Sequence, residues 1–220
     1  MKSKEIIVSD KKWWKSELFW IVFLAIFYAV GIIGISLEQY REYIVPLSSA
    51  HLFLTFLVLY FSRFGKKDLF LLYAFLLFFC GLLVEIVGTE TGLLFGNYHY
   101  GDTLGGKIFG VPVIIGVNWA TMVICSSTLV YKLNVKIWTK VFLAAFLMTS
   151  LDFLIEPVAM KLDFWQWEND SIPIFNYVCW FTISLPMHFF YIKWNLVENN
   201  KLPKAVYIMM LLFFIVLNLV

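Results

Sequence analysis

An all-α, polytopic membrane bundle of about seven transmembrane helices is the fold this sequence predicts, and three observations carry the prediction. Of its 220 residues, 61% are hydrophobic and 15% are charged. Soluble domains hold about 45–50% apolar and about 25% charged residues, so this much apolar surface calls for an apolar solvent. The apolar residues also fall into runs close to the roughly 20 residues that cross a bilayer. Finally, basic residues alternate between connectors: of the 17 Lys and Arg, all but Arg41, Lys107 and Lys161 fall on one side. Positive charge stays inside, so the N-terminus is expected in the cytoplasm and the C-terminus outside. The chain reads as one integral domain, 1–220, multi-pass in the cell inner (cytoplasmic) membrane.

The elements follow in order. A basic segment with Lys2, Lys4, Lys11, Lys12 and Lys15 precedes the first span, 18–37. That apolar run is too long for a signal-peptide core and long enough to cross. A short second span, 46–61, carries His51 near its start. The third, 69–87, ends around Glu85 and gives way to a long outer loop, 88–110, rich in glycine. The fourth is 111–131, and the fifth, 141–157, stops at Pro157 because proline lacks the helical N–H. The sixth and seventh are 174–192 and 205–220. Cys80, Cys125 and Cys179 all lie in apolar runs with no CxxC spacing, and read as small hydrophobes. A net charge of +2 gives no reason to expect a nucleic-acid partner.

On this topology the polar residues converge at one depth. Glu85 and Glu90 lie at the outer end of the third span, Asp152 and Glu156 at that of the fifth, and His51 near that of the second. Asn118 is in the outer half of the fourth, Asn176 begins the sixth, and His99 sits in the loop. Ionisable groups inside a membrane segment are expensive and mark function. Asp152 and Glu156, four apart, share a helix face. Two carboxylates so close in a poorly solvated place do not readily both ionise, so one is expected to remain a neutral acid, as a general acid requires.

Glycine in the loop lets backbone turn or approach closely. Non-helical backbone at membrane depth must be satisfied by protein or a wet cavity, so the loop is expected to cover a pocket, with Asn97, Tyr98 and Tyr100 supplying polar groups. Trp119, Trp165, Trp167 and Trp180 belong to the outer half; most read as belt residues, with one or two facing a cavity to stabilise a cation. Neither GxxxxGK[ST], GxGxxG after a strand nor HExxH occurs. The last span contains no lysine, which argues against a retinal Schiff base.

The stretch 85–119, EIVGTETGLLFGNYHYGDTLGGKIFGVPVIIGVNW, resembles the membrane carotenoid biosynthesis proteins that include the carotenoid 1′,2′-hydratases. The residues carrying the likeness are Glu85, Gly88, Thr91, Gly92, Phe95, Gly96, Tyr98 and Tyr100, then Leu104, Gly105, Gly110, Val111, Pro112 and Trp119. A second block matches at Asp152, Glu156, Pro157, Trp165 and Trp167, and a third at Pro173, Asn176 and Trp180. Ile172 stands where the family has Gly, and Val178–Cys179 where it has Leu-Gly.

This resemblance implies addition of water to the terminal 1,2 double bond of a linear carotenoid end, with no cofactor and no metal. The substrate would come from the lipid phase of the bilayer, and other carotenoid biosynthesis enzymes would be partners. Protonating the alkene gives a tertiary carbocation and needs a positioned acid in a dry site. Asp152 is the expected proton donor with Glu85 the alternative, and Glu156 orients water or stabilises the cation. Tyr98, His99, Tyr100, Asn118, Trp119, His51, Glu90, Asn176 and Trp165 complete the expected pocket. Three rivals stand beside this reading. One is an end-group cyclase or isomerase using the same protonation. Another is a metal-dependent membrane hydrolase built on His51, His99, Asp152 and Glu85. The third is a carotenoid-binding protein without catalysis.

Overall fold

The structure is a computed structural model that describes residues 16–63 and 65–220. The five N-terminal lysines used for orientation lie outside the described residues. Each predicted apolar run is a helix: α1 (Glu17–Ser36), α3 (Ser48–Phe61), α4 (Lys67–Thr91), α5 (Ile114–Val130), α6 (Ile137–Lys161), α7 (Ile174–Lys193) and α8 (Leu202–Leu219). Among the described residues, five helical stretches are long and apolar enough to cross a membrane: α1, 38–61, α4, α6 and α8. The fold is therefore an all-α membrane bundle.

Several ends differ from the sequence expectation, each for a local reason. The second span is lengthened by a short helix, α2 (Glu38–Ile44), and a 3-10 turn at Val45–Leu47 that accommodates Pro46 near its start. Arg41 ties α2 back by donating from Nε to the Ile35 carbonyl, 2.8 Å. Helix α4 runs one turn past Val87, until Gly92 takes the left-handed conformation (φ 64°) and donates its N–H to the Gly88 carbonyl. Helix α6 continues through Pro157 to Lys161. A membrane helix tolerates the lost hydrogen bond when neighbours re-satisfy the backbone.

Helix α5 lies at the centre, packed against α3, α4, α6, α7 and α8. Nearly all its residues are buried, polar ones included. Two of their hydroxyls bond back along the helix, Ser126 Oγ donating to the Met122 carbonyl (2.6 Å) and Thr128 Oγ1 to that of Ile124 (2.7 Å), while Ser127 Oγ pairs with His188 Nδ1 of α7 (2.8 Å). Helices α4 and α5 meet at glycines. A Cβ at Gly81 would stand 2.5 Å from Trp119 Cβ, and one at Gly116 2.7 Å from the Phe78 backbone carbonyl oxygen.

The connectors gather at two ends. At one, Arg63 pairs with Glu198 (3.3 Å), Asn200 donates to the Ser62 carbonyl, and the Tyr131 hydroxyl reaches Asn195. At the other, the glycine-rich loop folds over the bundle. It contains β1 (Tyr98–Tyr100), β2 (Lys107–Ile108) and β3 (Val111–Pro112); β2 pairs with β3, while β1 pairs antiparallel with β4 (Trp165–Trp167) from the α6–α7 connector. Val111 and Pro112, expected to begin the fourth helix, are thus strand residues, and α5 starts at Ile114.

Candidate active site

The site is built where that ribbon caps the bundle. In β1–β4, Tyr98 opposes Trp167, His99 opposes Gln166 and Tyr100 opposes Trp165. Strand residues alternate faces, so Tyr98, Tyr100, Trp165 and Trp167 line the chamber below. His99, between the two tyrosines, is exposed. Its expected place in the pocket is corrected by that period-two geometry. Glu90 is also exposed. Five residues beyond Glu85 on α4, it is turned away from the face that buries Glu85.

Three carboxyl groups meet in the chamber: Glu85 from α4 and Asp152 and Glu156 from α6, at 2%, 1% and 2% exposure. Their partners are neutral. Glu85 Oε2 accepts from the hydroxyls of Tyr98 (2.5 Å) and Tyr100 (2.7 Å), and its Oε1 accepts from Trp119 Nε1 (2.9 Å). Glu156 Oε2 accepts from the indoles of Trp165 (2.8 Å) and Trp167 (2.6 Å), and its Oε1 from Asn176 Nδ2 (2.9 Å). The same Asn176 nitrogen reaches Asp152 Oδ2 at 3.3 Å. Asp152 thus has one long contact where each glutamate has three short ones. Indoles only donate, so Glu156 is placed to be an acceptor.

Among the described residues, no Lys, Arg or His lines this chamber. Apart from Asn118, the remaining wall is hydrocarbon and aromatic. Trp180 stacks on Trp119 with ring centres 4.0 Å apart and planes within 8°, and Phe95, Ile115 and Ile155 complete it. Burial, reinforced by Glu85 beside them, pushes the Tyr98 and Tyr100 phenols well above the ordinary tyrosine range. Both therefore stay hydrogen-bond donors.

Of the expected site residues, Glu85, Asp152, Glu156, Tyr98, Tyr100, Asn118, Trp119, Asn176 and Trp165 are brought together. His51 lines a neighbouring cavity instead, with its ring edge-on to Tyr28 at 4.4 Å. The four residues of the metal-hydrolase reading do not converge, and no group of three His, Cys, Asp or Glu able to hold a metal occurs among the described residues. Trp167, Trp180 and Phe95 line the chamber although the expected set left them out. For Trp167 the signal was present: Trp-x-Trp has the same period of two as Tyr-x-Tyr, as two paired strands facing one chamber require.

The fold and site define a class: a multi-pass helical membrane protein with a buried chamber of carboxyl groups roofed by aromatic hydrogen-bond donors. The family described as carotenoid biosynthesis protein matches residues 42–220, and the chain belongs to it. Its role accordingly lies in carotenoid biosynthesis. No curated protein and no solved structure matches the chain.

Proposed function

We propose that the protein is a hydratase adding water across the terminal 1,2 double bond of a linear carotenoid end. The supporting observation is the unequal solvation of the three acids. Glu85 and Glu156 each accept three short hydrogen bonds, while Asp152 has a single 3.3 Å contact.

Asp152 transfers its carboxyl proton to the less substituted alkene carbon, and the π pair forms the new C–H bond. The neighbouring carbon becomes a tertiary cation, facing the Trp119–Trp180 stack and the two glutamates. Aromatic faces favour such a cation by about 0.5–2 kcal/mol or more once desolvated. A water oxygen then bonds to the cationic carbon, and its surplus proton passes to the Asp152 carboxylate, restoring the acid. Glu85 and Glu156, fixed by their donors, supply pre-oriented negative potential that needs no rearrangement as the cation forms. We place the loop side of the bundle outside an inner (cytoplasmic) membrane, from the distribution of basic connectors.

Expression in a lycopene-producing bacterium tests this reading. The expected pigment is heavier than lycopene by one water, or by two if both ends react. A product of unchanged mass would mean cyclisation or isomerisation and would overturn hydration, as would recovery of lycopene alone.

A further inference from the structure

Beside the carboxylate chamber lies a second, larger cavity. Helices α1, α3, α5, α6 and α8 surround it, and Leu104 and Phe164 from the two outer connectors contribute to its lining. Its walls are mainly hydrocarbon and aromatic, with Leu52, Met210, Phe213 and Phe214 among them. Ile115, Asn118, Ile155 and Trp165 line both cavities, so the two spaces share one wall. The carboxylate chamber is smaller and carries the acids. An elongated hydrocarbon with one reacting end fits that division: the end beside the acids, the chain beside the apolar walls.

The geometry points to this cavity as the bed for a polyisoprenoid chain, reached from the lipid between α1 and α3; the inference rests on the carotenoid reading above. Helix α1 packs closely along α8 but only sparsely on α3. At that looser seam Phe27, exposed on the outside, lies 6.3 Å from the His51 ring, and Tyr28 holds His51 from within. Flat rings at a lipid-facing seam can part for an extended polyene. His51 Nε2 is buried with no partner among the described residues, so moving this ring forfeits none there.

Lycopene binding tests the cavity independently of turnover, using the full-length protein in lipid nanodiscs. In a Cys80→Ser background, where the remaining Cys125 and Cys179 are buried, Leu52→Cys places a thiol in the cavity wall. Lycopene is expected to slow its reaction with N-ethylmaleimide by at least about tenfold, the equivalent of one or two buried side-chain contacts. Met210→Trp fills the bed and is expected to retain about a tenth of the lycopene held by Asp152→Asn, with both proteins monodisperse and equally helical. Equal labelling with and without lycopene would mean that a bilayer acyl chain occupies the space, and would overturn the assignment. So would full pigment retention by Met210→Trp. Protection of the Leu52→Cys thiol by lycopene, together with a wild-type protein that forms no hydrated product, would uphold the cavity and remove the hydratase reading instead.

Discussion

Replacing each chamber carboxyl by its amide separates structure from chemistry, because the three side chains are held so differently. Glu85 accepts three hydrogen bonds of 2.5–2.9 Å. Bonds to a charged acceptor contribute about 1.5–3 kcal/mol each, against about 0.5–1.5 for neutral pairs. Glu85→Gln therefore weakens three bonds by about 1 kcal/mol each, roughly 3 kcal/mol in all, less the relief of no longer burying a charge. Glu156→Gln follows the same arithmetic, since Trp165 and Trp167 can only donate and the new amide must turn its oxygen toward them. Asp152→Asn disturbs one 3.3 Å contact, worth less than about 1 kcal/mol. Its catalytic cost should nonetheless be the largest, about 10²–10⁴-fold for a lost general acid. Thermal unfolding in detergent and hydrated pigment formed per cell are the two assays. The expected order is opposite in each: Asp152→Asn is the most stable and the least active of the three. Wild-type turnover by Asp152→Asn, or a lower unfolding temperature for it than for Glu85→Gln, would refute the division of roles.

Further predictions follow from the same geometry. Because the folded Tyr98 and Tyr100 phenols titrate well above the usual value near 10, the stability they contribute is fully present below that pH and lost only as pH rises through their higher folded values. Changing both to Phe should leave the phenolate absorbance rise around pH 10 undiminished; a reduced rise would show that they titrate normally. Gly81→Val drives its side chain into Trp119, whose Cβ lies 2.5 Å from the position of an added Cβ. It should lower the unfolding temperature by the equivalent of about 1–3 kcal/mol and change the intrinsic tryptophan emission; an unaltered spectrum and unfolding temperature would contradict the close α4–α5 contact. His99→Ala and Glu90→Gln, both on exposed side chains, should keep hydrated-pigment yield at the wild-type level, and a large drop in either would return that residue to the site.

Much of the site was legible before any coordinates, because membrane physics leaves few explanations for Glu85, Asp152 and Glu156 beside hydrocarbon. Trp119, Tyr98 and Asn176 were legible through the family resemblance and the shared depth of the helix ends. Errors arose where neighbours in sequence had to be assigned to faces. His99 and Tyr100 are adjacent and similarly polar, yet pairing with β4 exposes one and buries the other. Trp167 reads as a belt residue until β1 is known to lie beside it. The 38–44 segment looks like a charged connector, and only the Arg41 tie to Ile35 shows why it coils. Pro157 reads as a stop, but the surrounding bundle allows α6 to continue.

The sequence by itself determined the solvent, the order of helices and which carboxyl groups had to hide, since these follow from hydrocarbon content and the cost of charge in lipid. Tertiary structure alone decided which donors meet which acid. Those donors come from α5, α7 and two distant strands, and hydrogen bonds act over ångströms while local sequence patterns report only on neighbours along the chain.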